Sequence, residues 1–342
     1  MPFHEEYLNS IKAYPKQFST AWKDTRKINL PEELSPVREV VVAGMGGSNF
    51  GARIIKSAFE SDSIICPIEI VNGYDLPSYC DEDTLVLLTS YSGTTEEVIS
   101  VLKQAKSRGC KMLIITSGGK LKTAIESHNV SGYVFDTKFN PSKAPRTSLG
   151  YILGATLGLL SSLGLVRYDE KDFDFTMEYI QSFIGVLEKN DKMAIQLAQS
   201  MLDKIPVFIT SQHLNAASWI WRNFMNETAK HRSFQMEIPE LNHHFLDGLL
   251  FPKGVRDEML FVYVKSKLYN TQNTKRMEIT RQVTKEQSYP DLSISLGAKT
   301  KFNEIWELII IGCFVSYHLA KMHGANPSSN EYVDRLKSEL AK

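Results

Sequence analysis

The chain has 342 residues, 43% hydrophobic and 23% charged, the balance of an ordinary soluble globular protein, and it is long enough for two domains with separate cores. Lysine plus arginine equals aspartate plus glutamate, 39 each, which excludes a global pull toward nucleic acid or anionic membrane; any basic site has to be local. Cys66, Cys80, Cys110 and Cys313 show neither CxxC nor His/Cys metal spacing, and three lie in or beside apolar runs, as buried thiols in a reducing cytosol do.

Residues 1 to about 30 read as amphipathic helix and loop. Met1 to Tyr14 carries Glu5, Glu6 and Lys12 and no apolar core segment, so no signal peptide is expected and the cytoplasm is the expected location. Glu39–Gly44 reads as a buried parallel strand, Gly44–Ser48 as the turn after it and Asn49–Glu60 as a helix. Ile68–Val71 is the next strand, and Leu85–Leu88 the third. A hydroxyl-rich loop and a helix to about Arg108 follow. Lys111–Ser117 is a strand, Lys120–Ser127 a helix and Tyr133–Asp136 a strand. Strands and helices alternating at this spacing predict βαβ units in a doubly wound sheet, with ligands bound beyond the carboxyl ends of the strands.

Leu149–Val166 holds 18 residues without a charge, marginal for a membrane span; the expectation is a buried helix joining two halves. A polar helix from Asp169 to about Ser200 comes next, and a second alternation follows. Its strands are Val207–Ser211, Met259–Lys265 and Leu292–Leu296; its helices are Leu214–Lys230, about Thr274–Gln282, Trp306–Met322 and a short one in Ser329–Leu340. The expected domains are 1–150, a link over 151–170, and 171–342.

The loop after the third strand is Ser90-Tyr-Ser92-Gly-Thr94-Thr95, and Thr94 and Glu97 stand at capping-box spacing. Hydroxyls, a glycine free to take positive φ and a helix N-terminus together suit a phosphate. The same residues suit a well-capped strand–helix turn, since helix starts favour Ser and Thr, and this stretch alone does not decide. Gly44-x-Gly46-Gly47-Ser48 departs from a dinucleotide fingerprint: Asn49 stands at the third glycine, and the following strand ends Val71-Asn72-Gly73 without an acid. No Walker loop is present, and no cofactor is expected.

Asn226-Glu227-Thr-Ala-Lys230-His231 and Glu237-Ile-Pro-Glu240-Leu-Asn242-His243-His244 form a candidate acid/base set; the alternative is a solvated helix end followed by a turn. Neighbouring His243 and His244 point different ways in extended chain, so they are not expected to share a metal. Arg146 in Pro145-Arg146-Thr-Ser148 keeps its proton, can hold a developing oxyanion, and sits at a helix start where a cation is disfavoured. Lys337, on spacing alone, reads as a solvated helix lysine.

Taken together, Gly44-Met-Gly-Gly-Ser48, Ser90–Glu97, Thr116-Ser-Gly-Gly119, Pro145-Arg146, Asn226–Lys230 and Pro239–His243 resemble, in order and over about residues 40 to 340, the bifunctional phosphoglucose/phosphomannose isomerase family of the sugar isomerase (SIS) superfamily. The resemblance implies two flavodoxin-like αβα subdomains of SIS type with mainly parallel sheets. It implies that Gly47, Ser48, Ser90, Ser92 and Thr95 hold a sugar phosphate. Glu227 would be the base that moves a proton between C2 and C1, His243 the ring-opening acid/base, and Arg146 the group that stabilises a cis-enediolate. Lys337 would help His243. The family is metal-independent and dimeric, with the histidine reaching the site from the partner subunit. The family commonly shows Pro-Glu-x-Asn-His-Asn where this chain ends in His243-His244, and the spacing from Glu227 assigns the role to His243. Glucose 6-phosphate and fructose 6-phosphate are the implied substrates, with mannose 6-phosphate beside them. The alternatives are an isomerase of another phosphosugar and a non-catalytic phosphosugar-binding protein.

Overall fold

The computed structural model describes residues 2–127 and 130–340. The chain divides into two compact units: Asn9–Gln181 forms one, and residues from Ser182 onward, with those up to Leu8, form the other. In chain order the first stretch contains α1 (Pro2–Lys12), α2 (Tyr14–Thr25), β1 (Glu39–Ala43), α3 (Phe50–Phe59), β2 (Ile68–Val71), β3 (Thr84–Ser90), α4 (Glu96–Ser107), β4 (Lys111–Thr116), α5 (Gly119–Glu126), β5 (Ser131–Val134) and α6 (Leu149–Ser162). The second contains α7 (Glu170–Lys189), α8 (Lys192–Met201), β6 (Ile205–Ser211), α9 (Asn215–Glu227), β7 (Phe234–Ile238), α10 (Phe245–Gly248), β8 (Met259–Lys265), α11 (Thr271–Glu286), β9 (Asp291–Ser295), α12 (Lys301–Met322) and α13 (Glu331–Leu340).

Among the described residues the strands form two parallel sheets, ordered β2-β1-β3-β4-β5 and β7-β6-β8-β9. Both are doubly wound, so each has a point where the strand order reverses, between β1 and β3 in the first sheet and between β6 and β8 in the second. Covered on both faces, β1 and β3 are buried throughout and apolar over Val40–Ala43 and Leu85–Leu88. Each such side chain contributes about 2 kcal/mol by leaving water.

The uncharged stretch from Leu149 is a helix inside the first unit, and its Leu149–Leu160 portion is buried. Its glycines let α2 approach: a Cβ on Gly150 would meet the Tyr14 carbonyl oxygen at 2.7 Å, and one on Gly154 the Phe18 carbonyl oxygen at 2.6 Å. The helix α12 is long and apolar enough to cross a membrane by length, yet 89% of that window is buried inside the protein.

Three details differ from the sequence expectation. The helix expected over 169–200 is two, α7 and α8, broken at Asn190-Asp191, where Asp191 turns to His318 at 3.0 Å. Phe234–Ile238, to which the sequence reading assigned no element, is the edge strand β7, half exposed and without a continuous apolar run. The helix α4 starts at Glu96 with Thr95 as its N-cap, so Thr94 and Glu97 form no capping box; the Thr95 hydroxyl instead pairs with Ser90 Oγ at 2.8 Å.

Candidate functional site

The β1/β3 switch point brings two loops side by side. After β1, Gly46 takes φ 50° and opens a single 3-10 turn over Gly46–Asn49. After β3, Gly93 takes φ 67°, and a Cβ there would fall 1.7 Å from the Gly118 carbonyl oxygen, a position only glycine can fill. The loops are cross-linked, because Tyr91 N–H donates to Ser48 Oγ at 3.0 Å.

Within the second loop Ser90 Oγ accepts from Gly93 N–H at 3.0 Å while it pairs with Thr95 Oγ1. Ser92 Oγ accepts from Thr94 N–H at 3.3 Å and from the Thr94 hydroxyl at 3.2 Å. Ser90 is buried and Ser92 exposed, so the hydroxyls run from the floor of the edge to its mouth. The amino end of α4 opens on the same loop, adding the partial positive charge of a helix N-terminus. Ser117 N–H and Oγ both donate to the Tyr91 carbonyl, which fastens the loop from behind. Burial pushes the Tyr91 phenol pKa up, so this neighbour stays neutral at physiological pH.

Arg146 lies in the Pro145–Ser148 3-10 turn before α6 and is 1% exposed. It is next to the first loop: a Cβ on Gly47 would stand 3.0 Å from Arg146 Cα and N and from the Pro145 carbonyl oxygen. The first unit therefore brings together Gly47, Ser48, Ser90, Ser92, Thr95 and Arg146.

Glu227, His243 and Lys337 belong to the second unit. Glu227 is the last residue of α9, half-buried. Its neighbourhood is tightly held. Tyr7 OH and Thr228 Oγ1 share a buried bond of 2.6 Å, and Lys230, with φ 56°, donates from Nζ to the Glu227 carbonyl at 2.5 Å and to the Ser329 carbonyl. His231 Nε2 faces the Lys204 carbonyl at 2.5 Å and can only donate there, so its Nδ1 accepts from His323 Nε2 at 3.1 Å.

His243 closes the 3-10 turn after β7 with an exposed side chain, while Asn242 Nδ2 anchors that turn to Thr280 Oγ1 at 2.7 Å. His244 lies 3.9 Å from Glu240. Lys337 sits about two turns along α13, fully on the surface. Because α9 runs against the strands, Glu227 lies at the amino edge of the second sheet, whereas His243 lies beyond the carboxyl end of β7. A strand's length, roughly 15 Å, separates the two in one chain. Among the described residues no group of three or more His, Cys, Asp or Glu converges as a metal site would. The sequence reading missed Tyr7 and the Tyr91 amide, and it quoted Lys230 without its contacts to the Glu227 and Ser329 carbonyls; the 221 positions between Tyr7 and Thr228 hid the first.

Comparison with known proteins agrees with this architecture. The SIS domain matches residues 33–132, and the bacterial phospho-glucose isomerase C-terminal SIS domain matches residues 190–340. A hypothetical protein of Thermus thermophilus has the same fold, with a TM-score of 0.77 at 14% identity over 98% of this chain and 90% of that one. Two parallel sheets with hydroxyl-lined loops at a switch point thus define a protein of SIS class. A bifunctional phosphoglucose/phosphomannose isomerase of Caldicellulosiruptor bescii is 28% identical over 98% of this chain and 99% of its own, and one of Aquifex aeolicus is 26% identical over 99% of each. The chain thus carries SIS-domain matches in both halves and is similar over nearly its whole length to bifunctional phosphoglucose/phosphomannose isomerases.

Proposed function

We propose that the protein is a phosphosugar isomerase that interconverts glucose 6-phosphate and fructose 6-phosphate, and mannose 6-phosphate as well, through a cis-enediolate and without a metal, in the cytoplasm. The observation that carries the reading is the pair of loops at the β1/β3 switch point, joined by Ser48 Oγ and Tyr91 N–H, in a chain related over its whole length to isomerases of that name. Gly47, Ser48, Ser90, Ser92 and Thr95 hold the phosphate. That remote grip orients C1 and C2 for reaction.

In this reading His243 opens the ring, with Lys337 assisting. Glu227 takes the C2 proton and returns it to C1, and Arg146 holds the enediolate charge. The separation of Glu227 and His243 across the second sheet supports a dimer in which each site takes its histidine from the partner.

The test is a coupled assay on glucose 6-phosphate and mannose 6-phosphate, with and without EDTA, on wild type and Glu227→Gln. Glu227→Gln is expected to lower kcat by about a thousandfold, with phosphosugar binding kept. Near-normal turnover in that variant would reject Glu227 as the base, and activity lost to EDTA and restored by zinc would reject the metal-free route.

A further inference from the structure

The two sheets can be laid over one another strand by strand, with β6 in the place of β1, β8 of β3 and β7 of β2. The first loops match. A left-handed residue, Gly46 (φ 50°) or Gln212 (φ 48°), opens one 3-10 turn. Three positions on, an asparagine reaches the end of the edge strand: Asn49 meets Asn72, and Asn215 donates to Glu237. Ala43 and Ile209 each stand three residues before that left-handed residue, and they pair with Leu88 and Tyr263. From Leu88 and from Tyr263 the chain runs seven residues to a helix N-cap, Thr95 or Asn270.

In this frame the second edge carries different residues at the positions that build the first loops. His213 stands at the place of Gly47, Leu214 at Ser48, Lys265 at Ser90 and Leu268 at Gly93. An internal group takes the space instead. Glu304, from the first turn of α12, has Oε2 2.7 Å from His213 Nε2, and the Ser266 hydroxyl donates to that same oxygen; the His213 and Glu304 side chains are each 1% exposed. Leu268 N–H in turn donates to Ser266 Oγ at 2.9 Å. One oxygen thus collects a donor from each of the two switch-point loops, as a bound phosphate oxygen would. The helix carrying it packs on α9 as α6 packs on α3, and the Arg146 turn leads into α6.

We infer that the Glu304 carboxylate is a built-in anion that closes a duplicated phosphate site, leaving each chain with a single phosphosugar site. The inference rests on the reading of the first loops as a phosphate cradle.

Equilibrium dialysis of wild type with 6-phosphogluconate should give one equivalent per chain, lost in the double variant G47A/S92A. In that double-variant background, Glu304→Ala should unfold at lower temperature, and excess inorganic phosphate should raise its midpoint by about 4 °C more than it raises that of the double variant alone. Glu304→Gln, which keeps the space filled, should show no such extra gain. Two equivalents bound by wild type would overturn the inference, as would a Glu304→Ala deficit that phosphate does not relieve. Wild type that binds no phosphosugar, with Glu304→Ala still rescued by phosphate, would refute the first-loop reading and leave Glu304 as the internal anion. The wild-type measurement stands whether or not the variants fold.

Discussion

Glu227 and His243 stand at opposite edges of the second sheet, one at the foot of α9 and the other past the end of β7. In the proposed mechanism a proton relay that needs both within one sugar's length would draw them from two chains. Neither Glu227→Gln nor His243→Ala should be active alone. Refolded together in equal amounts, they should recover about a quarter of wild-type activity, because half the dimers are mixed and each mixed dimer has one intact site. An inactive mixture that contains mixed dimers would sink the shared-site proposal.

Gly47 leaves no room for a side chain, since backbone atoms of Arg146 and Pro145 sit 3.0 Å from where its Cβ would be. Gly47→Ala has to push these two turns apart. We expect KM for glucose 6-phosphate to rise about tenfold, equivalent to about 1.4 kcal/mol, with a smaller fall in kcat as Arg146 shifts. Steady-state kinetics at unchanged thermal midpoint would check this; a wild-type KM would contradict it.

Acid should loosen the fold. Burial, first among the causes, holds His231, His318 and His4 below the ordinary histidine value of 6.5, and His323 adds to the effect on His231. The folded state keeps these rings neutral, so the unfolded chain binds the extra protons. The stability they contribute is complete above 6.5 and is lost as pH falls below it toward the depressed values. The urea midpoint should be lower at about pH 5.5 than at about pH 7.5, and His231→Gln should shrink that difference. An unchanged difference in the variant would remove His231 from the account.

The thiols should react in order of access. Burial pushes the Cys80 thiol up to about 11, and it raises Cys110 and Cys66 as well, but Cys66 alone of the four is partly exposed. Iodoacetamide at mild alkaline pH should label Cys66 first in the native protein, with Cys80, Cys110 and Cys313 labelled only after denaturation. Peptide mapping of the adducts would show this, and early labelling of Cys313 would contradict the burial of α12.

The strands β1, β3, β4, β6 and β8 were legible because both their faces are covered and the code for that is a plain apolar run. The strand β7 was not, because Phe-Gln-Met-Glu-Ile packs on one side only and its polar residues face water. The Ser90–Thr95 loop stood out by composition, but its wiring did not. Thr95 as N-cap engages Ser90 rather than the helix, and Ser48 serves a neighbouring loop, both set by partners the local sequence does not name. The His213–Glu304 pair spans 91 positions and leaves no local trace at all. Burial of Arg146 was likewise invisible, since its turn reads as an exposed helix start until Gly47 is seen against it.

The hydroxyls and amides lining the Ser90–Thr95 loop carry no formal charge. A recess built of dipoles has no counter-ions to shed when its guest arrives, and dipoles act over distances shorter than the reach of dissolved electrolyte. If this loop holds the sugar's anionic end as proposed, its loading should depend only weakly on ionic strength, so that much the same affinity holds in dilute and in concentrated salt.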